Sequence, residues 1–277
     1  MPQPVSVFLR QSLMLRASWA ACLDDPKPKP VRYVRSASRR IEATIELLIA
    51  KSGIADLGAA SKPVRRSLRR IRRGAGEVRD LDVHRELLAA YGKSSAASRL
   101  DRELRSSRKK VARRLQERLG KEERKMRRAL DHLETALEPA LDLTLSGGEL
   151  ADIARRWFAN AVRALDIAQD DQLHSVRKVC KTARYLAEQG AEDSKDAAGI
   201  AARFEAVQQT LGDWHDHLLL LQEARSSAGD GHELVKQLEA DSRRIRRKAR
   251  VATERLMRRF QLERDRASEA PKDLSKD

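Results

Sequence analysis

Four segments of the sequence carry basic side chains at intervals of three and four residues. These intervals place the side chains on one face of an α-helix, where like charges repel by about 0.2–0.5 kcal/mol per pair. A bound polyanion offsets this repulsion, because arginine holds phosphate oxygens with a planar fork and lysine acts as a point charge. The sequence therefore predicts a site for a phosphate-rich ligand. The four basic faces consist of Arg32, Arg35 and Arg39; Arg65, Arg69, Arg72 and Arg73; His174, Arg177, Lys178, Lys181 and Arg184; and Arg243, Arg246, Arg247 and Arg250.

Two short motifs offer groups for metal binding or hydrolysis. Asp80 and Asp82 form a D-x-D pair, but the further carboxylates of a divalent-metal site do not accompany them. We expect Asp80 to pair with an arginine instead. His215 and Asp216 are similar to the His-Asp pair of metal-dependent phosphohydrolases, and His174 could be a third ligand. No second acidic ligand stands out downstream, so a phosphohydrolase is the weakest of the functions considered.

The overall charge also favours an anionic partner. The 277 residues include 57 Lys and Arg against 41 Asp and Glu, which gives a net charge of +16. Residues 1–140 hold 33 basic and 17 acidic residues, whereas residues 141–277 hold 24 of each. The mixed charges of residues 99–128 are typical of a solvated helix face. The basic run 62–79, in which only Glu77 opposes eight cations, favours polyanion binding.

The composition argues against several classes of protein. Ten aromatic residues, none interleaved repeatedly with the basic faces, make nucleic-acid binding possible but weaker as a hypothesis. No apolar run is long enough to span a bilayer, so no membrane partner is expected. Cys22 and Cys180 are isolated, which argues against a disulfide framework or a zinc site and fits a reducing, cytoplasmic location. No oligomeric state follows from the sequence.

Apolar residues recur at helical intervals through most of the chain, and no run alternates long enough to predict a strand. Proline, glycine and serine clusters separate the helical stretches, and Pro63 is placed in the first turn of the third one. The sequence thus predicts an all-α fold. The predicted helices cover residues 4–24, 31–51, 63–90, 96–138, 149–170, 172–190, 197–226 and 232–265.

A weak internal repeat relates the two halves of the chain. Arg32, Arg35 and Arg39 recur as His174, Arg177 and Lys181 at an offset of 142 residues. The third helix repeats in the seventh at an offset of 136. We therefore predict one structural unit of two four-helix bundles, residues 1–140 and 141–277, related by a pseudo-twofold axis around a basic central groove. The second repeated motif is Gly76-x-x-Arg79-Asp80 and Gly212-x-x-His215-Asp216.

These motifs together resemble the CHAD family, the conserved histidine α-helical domain. The likeness covers about residues 5–260 and is strongest from Leu173 to Glu188 and from Leu211 to Asp216. The resemblance implies two four-helix bundles around a basic groove. Because the sequence contains no P-loop, Rossmann glycine pattern or nucleophile elbow, we expect a protein that is not an enzyme and needs no cofactor. The resemblance also implies binding of inorganic polyphosphate and association with polyphosphate granules in the cytoplasm.

The resemblance also assigns the anion-binding positions. The family's first signature histidine falls on Arg32 here, and arginine can still hold phosphate but cannot titrate near neutral pH. Neither a catalytic residue nor a metal ligand is expected. The polyphosphate-binding residues that we predict are Arg32, Arg35, Arg39, Arg40, Arg69, Arg73, Arg79, His174, Arg177, Lys178, Lys181 and Arg184.

Overall fold

A computed structural model describes residues 1–269, with side chains described to residue 260. Within this range the chain is helical without strands, which confirms the all-α prediction. Short 3-10 turns follow α3 (Ala89–Tyr91) and α4 (Glu138–Ala140). The α-helices of the described chain are α1 (Pro4–Asp24), α2 (Pro28–Lys51), α3 (Leu57–Leu88), α4 (Ser95–Ala136), α5 (Gly147–Val162), α6 (Asp170–Glu188), α7 (Lys195–Ala228) and α8 (Glu233–Glu269).

The beginning of α3 differs from the sequence prediction. The helix begins at Leu57, so Pro63 lies inside it and not in its first turn. Leu57 is buried in the core of the first half. Its packing explains why the helix extends upstream, although a proline inside a helix cannot donate a backbone hydrogen bond.

The prediction was also wrong about the end of α5, which is at Val162 and not at residue 170. In residues 163–169, backbone amides donate hydrogen bonds to side chains and form a turn. The amide of Ala168 donates to Asp166 Oδ1 over 2.9 Å, and the amide of Asp166 donates to the side chain of Gln172. Such local hydrogen bonds compete with helix continuation.

The helices pack around three apolar cores. One core is formed by residues 5–140 alone, and a second is formed mainly by residues 145–260 with Ala43 and Leu47 of α2. The third core joins Leu88 and the start of α4 to α7 and α8. Between the halves, α2 contacts α6, and α7 contacts α3 and α4. A pseudo-twofold axis, a central groove and a division at residue 140 stay predictions.

The long helix α4 packs against its neighbours along most of its length. Apolar side chains from Ala96 to Leu133 are buried along it, mainly against α3. No helix in residues 1–269 is both long and apolar enough to cross a membrane.

Candidate functional site

Five basic side chains from three helices face one another where α2 meets α3 and α6. Their closeness is seen in their mutual effect on ionisation. Besides burial, Arg35, Arg72 and Arg177 lower the pKa of Arg39. Burial is the largest cause that lowers the pKa of Lys181, and Arg177, Arg39 and Arg35 lower it further. We call this set the basic cluster; it consists of Arg35 and Arg39 of α2, Arg72 of α3, and Arg177 and Lys181 of α6.

The basic cluster is largely withdrawn from water. Arg177 is only 8% exposed, and burial is the main cause that lowers its pKa. Burial and the neighbouring arginines lower the pKa of Lys181 to about 5. Removing cations from water costs several kcal/mol each unless an anion compensates them. The free protein therefore holds these basic groups at the expense of stability, either as buried charges or, for Lys181 at pH 7, as a deprotonated amine.

Acidic side chains compensate only part of the basic cluster. Arg35 Nη1 lies 3.3 Å from Asp80 Oδ1, and Arg72 pairs with Glu42 of α2. Asp216 is close enough to Arg177 to favour its charged form, although burial raises the pKa of Asp216 itself.

Three cations of the cluster have no carboxylate within ion-pair distance in the described part of the chain, namely Arg39, Arg177 and Lys181. Asp216 favours the charged forms of Arg177 and Lys181 from a longer distance. Burial is the main cause that lowers the pKa of Arg39 and of Lys181, and Lys181 is neutral at pH 7 in the free protein. Arg39, and Lys181 once an anion restores its proton, are the part of the cluster that is left for a ligand.

Two histidines border the basic cluster. The rings of His174 on α6 and His215 on α7 lie with their centroids 4.5 Å apart. Burial and nearby cations lower the pKa of His174 to about 4 and that of His215 to about 3. Both imidazoles are therefore neutral at pH 7. The buried Nδ1 of His174 and Nε of Arg177 have no hydrogen-bond partner among the described residues, as expected for groups that face a ligand.

Two glycines at equivalent positions of the repeat make room for the arginines. A Cβ at Gly212 would lie 3.8 Å from Arg177 Nε, and a Cβ at Gly76 would lie 4.0 Å from Arg35 Nε. These are ordinary contact distances, so longer side chains would displace the guanidinium groups. The repeated glycine thus explains how an arginine of one helix reaches the backbone of the next.

Beside the cluster, an ion-pair network joins α2 to α6. Glu188 Oε2 lies 2.9 Å from Arg40 Nη2, and its Oε1 lies 2.7 Å from Arg184 Nε. Both guanidinium groups also lie over the ring of Tyr185, at 4.9 and 5.1 Å from its centroid. Arg40 and Arg184 are therefore already paired, and their first role is to fix the two helices together.

The structure brings together some of the predicted site residues and disperses others. Arg35, Arg39, Arg177 and Lys181 converge, with His174 beside them. Lys178 is exposed next to His174. Arg79 pairs with Glu86, with Nη1 at 3.6 Å from Oε2. Arg40 and Arg184 belong to the ion-pair network beside the cluster, and the other predicted residues are exposed, namely Arg32, Arg69 and Arg73.

Two side chains at the candidate site, Arg72 and His215, are not among the predicted binding residues. Arg72 belongs to the basic face of α3, but its neighbours Arg69 and Arg73 were preferred. His215 was considered only as a metal ligand, although the internal repeat already equates it with Arg79. A consistent use of that repeat would have included His215.

The His-Asp motif does not build a metal centre in the described residues. They contain no group of three or more His, Cys, Asp or Glu side chains that could hold a metal ion. The two carboxylates of the D-x-D motif do not face one site, because Asp80 pairs with Arg35 and Asp82 pairs with Arg108 of α4.

Comparisons with known proteins agree with this architecture. The chain is similar in fold to the crystal structure of the CHAD domain from the plant Ricinus communis, with 16% sequence identity, a TM-score of 0.66, and coverage of 92% of this chain and 89% of that one. It is also similar to PptA from Streptomyces chartreusis, with 17% identity, a TM-score of 0.66, and coverage of 95% and 100%.

The comparison with curated proteins gave no match. The family model for the CHAD domain matches residues 8–225, which is most of the chain and includes the whole basic cluster. This chain therefore belongs to the CHAD domain family.

Proposed function

We propose that this protein binds inorganic polyphosphate at the basic cluster and does not act on it chemically. The observation that carries the proposal is the convergence of buried, partly uncompensated cations from separate helices. A buried set of like charges is costly without an anion. Membership of the CHAD family supports polyphosphate as that anion, because the resemblance seen in the sequence implies it.

The geometry suggests how a linear phosphate chain binds. Arg39 and Lys181, which form no ion pair with the described residues, meet phosphate oxygens directly, while Asp80 keeps Arg35 oriented beside them. The neutral His174 offers a free ring nitrogen for a hydrogen bond to phosphate. Each phosphate contact displaces condensed counterions, so the affinity falls as salt rises.

A double variant that removes the two uncompensated charges tests the proposal. We expect Arg39→Gln with Lys181→Gln to bind long-chain polyphosphate at least about 100-fold more weakly, because each charge-assisted hydrogen bond contributes about 1.5–3 kcal/mol. The matched control is Lys110→Gln with Arg114→Gln, which removes two exposed cations of α4. Equilibrium binding at fixed salt, with circular dichroism to verify folding, measures both.

Unchanged affinity in the Arg39 and Lys181 variant would reject the basic cluster as the site. Equal losses in the variant and the control would mean that only the general positive charge matters. Duplex DNA that displaces polyphosphate at equal phosphate concentration would favour nucleic acid as the ligand. Metal-dependent release of phosphate from polyphosphate would favour the hydrolase alternative at His174, His215 and Asp216.

Granule association follows from the same chemistry. Many cluster–phosphate contacts along one polymer raise the local concentration of the protein on it. In cells that accumulate polyphosphate, the fluorescently labelled protein is expected on the granules, and the Arg39 and Lys181 variant is expected to be diffuse. If the variant still lies on the granules, granule targeting does not depend on the basic cluster.

A further inference from the structure

A second basic surface lies at another place in the fold, where the end of α3 meets the start of α4. It comprises two cavities of about 690 and 560 Å³ that share Arg85, Arg102 and Arg105. Lys27 and Lys109 line the larger one. We call both together the outer basic cavity. Arg72 is the residue of α3 that belongs to the basic cluster. Arg85, the residue of α3 that both cavities share, lies several helical turns farther along α3.

The cations of the outer basic cavity outnumber its acids. The lining includes Lys27, Arg85, Lys93, Arg102, Arg105, Arg108 and Lys109, but only Asp25, Asp82 and Asp101 oppose them. Asp25 pairs with Lys27, and Asp82 pairs with Arg108. Asp101 is shared by two arginines. In the described chain, Arg102 and Lys109 have no acidic partner.

The arginines of this cavity are already oriented. Arg85 and Arg105 each point Nε at a different oxygen of Asp101, over 2.8 Å in both cases. This contact fixes the planar guanidinium and leaves its two terminal nitrogens available. Two parallel N–H donors match two oxygens of one phosphate group. The arrangement therefore differs from a solvated face of mobile lysines.

The D-x-D motif separates this cavity from the basic cluster. Two residues along a helix correspond to about 200° of rotation, so Asp80 and Asp82 point to opposite sides of α3. Asp80 orients Arg35 in the basic cluster, whereas Asp82 orients Arg108 in the outer cavity through a 2.9 Å contact with Nε. One short motif thus positions an arginine at each of two surfaces.

The shape of the cavity indicates an elongated ligand. Arg102, Arg105 and Lys109 lie on one face of α4 and span about 10 Å along the helix axis. That length exceeds a single phosphate ion. None of the described residues that line the two cavities is aromatic, so the bases of a single-stranded nucleic acid would have no surface for stacking.

We propose that the outer basic cavity is a second site for a short run of linked phosphate groups. Arg85 and Arg105 hold phosphate oxygens with their terminal nitrogens, and Arg102 and Lys109 supply uncompensated charge. The ligand is either free tripolyphosphate or a segment of a longer condensed phosphate chain. The site does not depend on the basic cluster, so each chain carries two separate places for phosphate.

Calorimetric titration of the full chain with tripolyphosphate, and separately with long-chain polyphosphate, tests this second site. The test variant is Arg102→Gln with Lys109→Gln, both exposed residues whose loss leaves the core intact. The control is Lys110→Gln with Arg114→Gln on the same helix. We expect the test variant to lose one binding event or bind it at least tenfold more weakly, and the control to match the wild type.

The basic-cluster variant, Arg39→Gln with Lys181→Gln, distinguishes the two proposals. If the outer cavity is a site, that variant retains the binding event that Arg102→Gln with Lys109→Gln removes. A loss with both ligands assigns the site to free and polymeric phosphate, and a loss with the long chain alone assigns it to polymer segments. Equal titrations of test variant and control would overturn the second site, as would tighter binding of duplex DNA there.

Discussion

At the scale of single residues, the basic cluster places binding and stability in opposition. Lys181 is surrounded by Arg177, Arg39 and Arg35 in a buried setting, and its pKa falls from 10.5 to about 5. Between these two values the unfolded state holds a proton that the folded state releases. The free energy of unfolding therefore rises with pH across this range. A bound polyanion restores the proton, so binding should take up a proton at Lys181.

Replacing Lys181 by methionine should stabilise the free protein. The apolar side chain removes the amine that must lose its proton on folding, and similar replacements of buried ionic groups add about 1–4 kcal/mol to the free energy of unfolding. Denaturant unfolding at pH 6 and pH 9 measures the gain. The gain should be larger at pH 6, because rising pH relieves the penalty only in the wild type. Polyphosphate affinity should fall at the same time.

Lys178→Met is the matched control, since Lys178 lies on the same helix but is exposed. Its free energy of unfolding should stay within about 0.5 kcal/mol of the wild type. Equal free energies of unfolding of the wild type and Lys181→Met at both pH values would contradict the claim that buried Lys181 destabilises the free protein.

At the scale of helices, a glycine lies opposite an arginine where α2 meets α3 and where α6 meets α7. Gly212 is inside α7, where glycine costs about 0.5–1 kcal/mol relative to alanine. Its backbone φ is not in the left-handed region, so conformation does not require glycine. The guanidinium of Arg177 leaves room at this position for a short side chain but not for a long one.

Gly212→Ala should therefore raise the free energy of unfolding by about 0.5–1 kcal/mol, because its Cβ fits at 3.8 Å from Arg177 Nε. Polyphosphate affinity should be preserved. Gly212→Leu should displace Arg177 and weaken polyphosphate binding. Thermal unfolding and equilibrium binding measure the pair of variants. Loss of affinity already in Gly212→Ala would show that the glycine serves something other than space.

At the scale of the whole molecule, the sequence predicted the all-α class and the number and order of the long helices. It could not predict where α3 begins, because the burial of Leu57 in the first core outweighs the local preference of Pro63. Helical spacing showed which basic residues share a face but not which faces meet. For this reason the sequence did not show that Arg72 lies in the basic cluster while Arg32 and Arg69 are exposed, and the binding roles of all three stay predictions.

The third core sets how the two halves behave together. Leu100 of α4 packs in the same apolar cluster as Leu220 of α7 and Leu234 of α8. This cluster is separate from the other two cores, and it lies on α3 and α4, which carry the outer basic cavity, and on α7 and α8. A molecule joined in this way should unfold as one cooperative unit.

Leu220→Ala tests this cooperativity. Leu220 is fully buried, so its truncation should lower the free energy of unfolding by about 2–5 kcal/mol. Differential scanning calorimetry should show one transition in the wild type, and the variant should shift that transition as a whole. Leu141→Ala, at a side chain that is 45% exposed, should leave it nearly unchanged. Two separate transitions, of which Leu220→Ala moves only one, would mean that the halves fold independently and that the third core does not couple them.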